Sequence, residues 1–135
     1  MTNFSPNKTF LVLGALFGFL AVIIGAFGAH SLSNFVTSDM LQVYETGVQY
    51  QFYHAFALLA VGILGSRCPA RLVAWAGGLF SVGIVFFSGS LYLITAIQAA
   101  NMSVPIAVGL LTPLGGLCFI CGWTVFLIAI LKMDR

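Results

Sequence analysis

The stretch FLVLGALFGFLAVIIGAFGA, residues Phe10–Ala29, decides the fold because its 20 consecutive residues include no charged or strongly polar side chain. At about 1.5 Å rise per residue, a helix of this length covers the roughly 30 Å thickness of the hydrocarbon core of a bilayer. Three later apolar runs, at about residues 46–65, 72–97 and 114–131, reach or nearly reach the same length. The sequence therefore predicts four transmembrane helices.

The composition excludes an ordinary soluble protein. The 135 residues are 61% hydrophobic and 6% charged, with mean hydropathy +1.10, which leaves too little polar surface for a soluble monomer. The runs show no alternation of polar and apolar residues, so membrane-spanning strands fit poorly. We expect an all-α integral membrane protein that folds as one compact four-helix bundle over residues 1–135, with helices at about 10–29, 38–65, 72–97 and 114–131.

Local signals predict how these helices begin. A cleaved signal peptide is an alternative for the first run, but its apolar part is longer than the about 7–15 residues of a signal core. Ser38 is predicted to cap the second helix, with Asp39 in its first turn. Thr112 and Pro113 are predicted to start the fourth helix. The apolar segment 104–111 before them is expected to lie along the membrane interface or to dip partly into it.

All five basic residues fall in alternate connections of this topology. They are Lys8 before the first helix, Arg67 and Arg71 between the second and third, and Lys132 and Arg135 after the fourth. Because cytoplasmic loops collect Lys and Arg, both termini are predicted to be cytoplasmic. Orientation accounts for these charges, so the net charge of +2 indicates no nucleic-acid partner.

Small residues recur at helical spacing in three of the predicted helices. They are Gly14, Gly18, Ala21, Gly25 and Gly28 in the first helix, Ala55, Gly62 and Gly65 in the second, and Gly115, Cys118, Gly122 and Ala129 in the fourth. Faces nearly bare of side chains let membrane helices approach closely, so we interpret these positions as packing seams. The alternative, a substrate gate built on glycines, is a less common use of such faces.

Hydrogen-bonding side chains concentrate in one stretch, Tyr44–His54, which reads YETGVQYQFYH. Counting about 20 residues back from the end of the second helix places Glu45 at the membrane rim and His54 about 12 Å below it. On a helical wheel Gln42, Glu45, Gln49 and Tyr53 share one stripe, whereas Gln51 points nearly opposite.

Polar residues from all four helices are predicted to meet at this level of the membrane, in the half away from the termini. The candidate cluster consists of His30, Glu45, Gln49, Tyr53, His54, Ser88, Ser90, Tyr92 and Thr112. Hydrogen bonding between helices, worth roughly 0.6 kcal/mol per pair, is one explanation. The other is a water-accessible pocket or a path for a small solute.

No motif predicts catalysis, a cofactor or a metal ion. Cys118 and Cys121 form a Cys-x-x-Cys pair, but they lie in an apolar helix without the strand and helix context of a thioredoxin site. Together with His30 and His54 they could supply four metal ligands, yet no ligand spacing demands such a site. We therefore expect no metal ion, no cofactor and no enzyme activity.

Four segments resemble a known family. They are Gly25–His30, Tyr44–His54, Phe87–Tyr92, and Thr112–Gly116 together with Gly122–Trp123. Over nearly its whole length the chain resembles the small bacterial membrane proteins catalogued as domain of unknown function 423, to which transmembrane protein 256 of animals is similar. The resemblance implies a multi-pass protein of the inner membrane. It implies no established activity, and therefore no catalytic or binding residues.

Three functional hypotheses follow. The first is a non-enzymatic structural, assembly or accessory protein that associates with itself or with another membrane protein, as the packing seams suggest. The second is a small carrier or channel for a proton, an ion or a small polar solute, with His54 as the titratable group. The third is a site for a lipid or quinone headgroup formed by Tyr53, His54, Tyr92 and Trp123.

Overall fold

The computed structural model describes residues 6–133, and within that range the chain is helical and contains no strand. The helices are α1 (Lys8–His30), α2 (Ser38–Leu64), α3 (Ala70–Gly83), α4 (Gly89–Ala99) and α5 (Ile106–Leu131). A π-helical turn, Ile84–Ser88, joins α3 to α4, so that these form one continuous span, Ala70–Ala99. Four spans are thus long and apolar enough to cross a membrane, which confirms the predicted all-α membrane protein with four transmembrane helices.

The spans run alternately between two ends of the bundle. Residues 6–7, 65–69 and 132–133 lie at one end, which we name the terminal end, and residues 31–37 and 100–105 lie at the other, the loop end. The basic residues Lys8, Arg67, Arg71 and Lys132 fall at the terminal end, and Arg135 lies outside the described residues. Which end faces the cytoplasm stays a prediction.

The N-cap of α2 differs from the predicted one. Thr37, rather than Ser38, takes this position, because its backbone is extended (φ −70°, ψ 162°) and its hydroxyl accepts a hydrogen bond from the Met40 amide at 3.3 Å. Ser38 is the first helical residue. Ser and Thr are both good N-caps, so the sequence alone does not distinguish two neighbouring hydroxyl residues.

The fourth span begins earlier than predicted. α5 starts at Ile106, so residues 106–111 belong to the same helix as the rest of the fourth span and do not form a separate segment before it. Pro105 takes the N-cap position, and Pro113 lies inside the helix. An interior proline removes one amide donor, and its ring crowds the carbonyl four residues earlier. Gly109 supplies that carbonyl, and membrane-spanning helices tolerate such a proline because local adjustment of the helix and neighbouring groups satisfy the backbone groups it frees.

Two helix pairs form the bundle: α1 packs on α2, α5 packs on the α3–α4 span, and α2 joins the pairs by packing against that span. Small buried residues seven apart line both pairs, namely Gly14, Ala21 and Gly28 on α1 and Gly115, Gly122 and Ala129 on α5. A Cβ on Gly115 would overlap the backbone nitrogen of Phe87, so backbone packs on backbone there. Two predicted seam positions are not closely packed: Gly18 faces open space and Cys118 is half-buried.

The apolar core lies where α2, α3 and α5 meet, toward the terminal end. Leu58, Val61 and Phe80 are completely buried there, and Phe119 and Phe126 of α5 pack against them. The polar side chains that join different helices lie beside this core and on its loop-end side, where the candidate site is found.

Candidate functional site

A glutamine in the middle of α2, Gln51, joins three helices. Its Nε2 donates to the Phe17 carbonyl of α1 at 2.8 Å, and its Oε1 accepts from the Tyr92 hydroxyl of α4 at 2.8 Å. Because a backbone carbonyl can only accept, these partners fix the orientation of the amide. Gln51 is 3% exposed, so the two bonds satisfy a side chain that would be costly to leave unpaired in a membrane.

The cluster predicted from the sequence omits Gln51, because on the helical wheel Gln51 points away from the row formed by Gln42, Glu45, Gln49 and Tyr53. That direction is itself a signal, because a glutamine on the buried face of a spanning helix needs a partner on a neighbouring helix. Tyr44, seven residues earlier on the same face, follows the same rule. Its hydroxyl donates to the Ile24 carbonyl of α1 at 2.7 Å, and its ring centroid lies 5.1 Å from that of Tyr92.

His54 is held by two hydrogen bonds and one stacked ring. The indole Nε1–H of Trp123 on α5 donates to His54 Nε2 at 3.2 Å. Nε2 therefore carries no hydrogen, and Nδ1 donates to the Tyr50 carbonyl at 2.7 Å. The imidazole stacks on Phe119, with ring centroids 3.4 Å apart and planes at 7°. Both nitrogens of this neutral ring are engaged, which leaves neither of them for a metal ion or a transferred proton.

Two hydroxyls tie α5 to the π-helical turn. Ser90 Oγ donates to the Phe87 carbonyl at 2.9 Å and lies 2.6 Å from Thr112 Oγ1. Because a hydroxyl carries a single hydrogen, Thr112 must be the donor in the second bond. The link therefore runs from α5 through Ser90 to a carbonyl of the turn, where the regular α-helical bonding pattern is interrupted.

Ser88, in the same turn, is fully buried, and within residues 6–133 its hydroxyl has no hydrogen bond of good geometry. It lies beside the Tyr92 hydroxyl, which donates to Gln51 instead.

The structure divides the predicted cluster between the interior and the surface. His54, Ser88, Ser90, Tyr92 and Thr112 lie at contacts between helices, whereas His30, Glu45, Gln49 and Tyr53 are exposed. His30 is the last residue of α1, apart from the interior group.

Gln42, Glu45 and Gln49 form an exposed row on α2, which we name the polar stripe. Among the described residues, no hydrogen bond or ion pair engages the side chains of this stripe.

A groove between α2 and α5 lies on the terminal-end side of the polar stripe. It has a volume of about 570 Å³ and is lined by Tyr50, Tyr53, His54, Phe87, Gly116, Phe119, Ile120 and Trp123. The gap exists because α2 and α5 meet here through aromatic side chains rather than through close backbone packing. Tyr53 and Trp123 are 57% and 47% exposed, so this aromatic groove opens to the surface of the bundle.

No three His, Cys, Asp or Glu side chains in the described part of the chain lie close enough together to hold a metal ion. Cys118 is half-buried and Cys121 is exposed on α5, and both are free thiols. His54, which the sequence placed in a conceivable metal set with them, uses both of its nitrogens within the protein.

Comparison with known proteins agrees with this architecture. The model of the family described as protein of unknown function (DUF423) matches residues 24–116, which is more than half of the chain. The chain belongs to this family. The resemblance seen in the four sequence segments is thereby confirmed.

Curated relatives are similar to this chain along nearly their whole length. The UPF0382 membrane proteins of Staphylococcus saprophyticus and Bacillus subtilis are each 43% identical to this chain over 126 residues, which cover 93% of it and 99% and 98% of the relatives. One from Staphylococcus aureus strain RF122 is 42% identical over 125 residues, covering 93% of this chain and 97% of the relative. No solved structure matches the chain. This DUF423 protein is thus a membrane protein from a family whose name states no activity.

Proposed function

We propose that this protein is a single membrane domain without enzyme activity, which assembles through the polar stripe of α2 as a structural or accessory component. One observation carries the proposal. Gln49 is exposed on a membrane-spanning helix, and its amide has no partner within residues 6–133. An amide that faces hydrocarbon without a hydrogen bond costs several kcal/mol, and a facing helix that pairs with it removes this cost.

A second copy of the chain is the partner that best fits the stripe. An amide side chain both donates and accepts, so Gln49 facing Gln49 across a two-fold axis satisfies both groups. Glu45 lies one turn away, where its carboxylate can accept from the amide of a facing Gln42. Gln51, Tyr92, His54 and Trp123, the polar side chains that join helices inside the bundle, already have partners there, which leaves this stripe for association.

Energy transfer between labelled copies in liposomes tests the proposal. Copies that carry a donor or an acceptor fluorophore at the C-terminus are mixed, and transfer is followed as lipid is added. We expect energy transfer to fall as lipid dilutes the protein. Gln49→Leu should raise the dissociation constant at least about threefold, since one interhelical hydrogen bond is worth roughly 0.6 kcal/mol. Thr124→Val is the matched control, because this exposed hydroxyl is already bonded to the Ile120 carbonyl.

Two outcomes would end the proposal. One is a chain that stays monomeric at every protein-to-lipid ratio and copurifies with no partner. The other is association that Gln49→Leu leaves unchanged. The chain could instead associate with a different membrane protein, and this association could be lost in Gln49→Leu but kept in Thr124→Val. The polar stripe would then still be the interface, but its partner would be that protein and not a second copy of the chain.

The carrier hypothesis has weaker support. A path for a proton or an ion needs connected polar groups that can exchange partners. The interior groups are instead engaged in fixed bonds between helices, and His54, the titratable group of that hypothesis, uses both of its ring nitrogens.

We also propose that the terminal end faces the cytoplasm of a bacterial cell, because the described basic residues collect there. Single cysteines in a chain whose native cysteines are replaced by alanine test this orientation. Ser33 is exposed at the loop end and Ser66 at the terminal end. A membrane-impermeant maleimide should label Ser33→Cys and not Ser66→Cys on intact cells. The reverse pattern would invert the topology.

A further inference from the structure

The aromatic groove has the size and the position of a site for a lipid-soluble ligand. Its volume of about 570 Å³ lies within the range of small-molecule sites, which is roughly 300–1,000 Å³. At about 1.5 Å per residue, Gly116 and Trp123 lie about 15 and 25 Å along an α5 of about 39 Å, so the groove occupies the middle of the span. A ligand must therefore enter from the lipid.

Two tyrosines that line the groove have hydroxyls without a partner in the part of the chain that the structure describes. Tyr50 and Tyr53 line it, and no hydrogen bond engages either hydroxyl among residues 6–133. His54 and Trp123 satisfy each other, so they offer no further donor. A phenol in hydrocarbon without an acceptor is costly, and a ligand with carbonyl oxygens would supply two acceptors.

The walls of the groove are flat aromatic rings. His54 stacks on Phe119, and the Tyr50 ring lies 4.6 Å from that of Phe87. Planar ligands pack on such faces in offset or edge-on arrangements. Gly116 keeps the groove open, since a Cβ there would meet only the Phe87 ring, at 3.9 Å.

The chemistry of the lining argues against the headgroup of a phospholipid. No Lys or Arg lines the groove, so it offers nothing to a phosphate. A phosphate at the membrane surface would also have to descend to the middle of the span. An uncharged ring is soluble at that depth, and its oxygens can accept from the two tyrosines.

We propose that the aromatic groove binds a lipid-soluble molecule whose planar ring carries carbonyl oxygens, the quinone class, with Tyr50 and Tyr53 as donors to those oxygens. The ring packs against the aromatic walls, and its apolar tail leaves the groove beside Tyr53 and Ile120, the two most exposed lining residues. This inference is independent of the association proposed for the polar stripe, whose residues do not line the groove.

The two tryptophans provide a reporter and its matched control. Trp123 lines the aromatic groove. Trp75 lines a second surface groove of about 450 Å³ on α3, which contains no tyrosine. Trp75→Phe therefore leaves a reporter inside the proposed site, and Trp123→Phe leaves one outside it. Each variant is placed in phospholipid vesicles and titrated with a benzoquinone that carries a decyl chain.

We expect the fluorescence of Trp123 to be quenched along a saturating curve, and that of Trp75 to fall only linearly with quinone concentration. In the Trp75→Phe background, Tyr50→Phe and Tyr53→Phe should each weaken binding about fivefold, the loss of one hydrogen bond. Gly116→Leu fills the groove and should weaken it more than tenfold. Gly18→Leu makes the same change in open space on α1 and should have no effect.

Three results would overturn the proposal. Linear quenching of both reporters would mean that the quinone only partitions into the lipid. Saturable quenching that Gly116→Leu leaves unchanged would place the bound molecule elsewhere. Equally tight, saturable quenching by phospholipids with brominated acyl chains, unaffected by Tyr50→Phe and Tyr53→Phe, would make the groove a seat for a lipid tail.

Discussion

Replacing Gln51 by leucine removes the junction of α1, α2 and α4 and keeps a side chain of similar size. At the membrane average of roughly 0.6 kcal/mol per interhelical hydrogen bond, the loss of two bonds costs about 1 kcal/mol. The Tyr92 hydroxyl also loses its acceptor in the interior, which adds up to about 2 kcal/mol. The Phe17 carbonyl keeps its own helical partner. We therefore expect the free energy of unfolding to fall by about 1–3 kcal/mol.

Unfolding in mixed micelles, followed by tryptophan fluorescence as the mole fraction of sodium dodecyl sulfate rises, measures this change. Gln49→Leu is the matched control, because it makes the same chemical change two residues away on the exposed face and breaks no bond within the protein. Its effect should stay within about 0.5 kcal/mol under dilute, monomeric conditions. Equal effects of the two substitutions would refute the assignment of Gln51 as the junction. A double variant with Tyr92→Phe should lose less than the two single losses combined.

Other predictions use the same titration and liposome methods. Gly115→Ala, whose added methyl overlaps the backbone of the π-helical turn, should lower the free energy of unfolding by more than about 2 kcal/mol. Gly18→Ala meets open space and should be neutral or stabilising by up to about 1 kcal/mol, so similar losses at both glycines would contradict the packing described. In a Trp75→Phe background, His54→Phe removes the acceptor of the Trp123 indole. The fluorescence emission of Trp123 should move to shorter wavelength, and the free energy of unfolding should fall by about 1–2 kcal/mol. Unchanged emission would argue against this hydrogen bond. Proton flux into liposomes should match that of empty vesicles, and a flux that His54→Phe abolishes would favour the carrier hypothesis.

The number of spanning helices and the all-α fold class follow from the sequence, because every span must be an apolar helix long enough to cross the bilayer. A run such as Phe10–Ala29 has a length set by the bilayer, whatever packs beside it. The same reasoning misplaces the start of α5, since Pro113 stands in the sequence as a helix boundary. A proline is tolerated inside a spanning helix where the backbone groups it frees find other partners, and this depends on how the neighbouring helices fold around it.

The polar groups were harder to assign because exposure depends on how the helices associate. The wheel correctly separates Gln49 from Gln51 but does not show which of the two faces the lipid. The partner of His54 is Trp123 of α5, and the partner of Tyr92 is Gln51 of α2, so each bond joins two different helices. To predict such a pair, one must know how two helices are rotated and shifted relative to each other, and a single sequence gives neither quantity.

The π-helical turn Ile84–Ser88 sets the angular phase of the rest of its span. Such a turn holds one more residue than an α-helical turn, so every later residue is rotated by about 100° relative to an uninterrupted helix. Ser90 and Tyr92 reach α5 and α2 in this rotated phase. One inserted residue therefore decides which side of an apolar segment presents its hydroxyls, and a relative that gained or lost a residue here would turn a different set of side chains toward the interior.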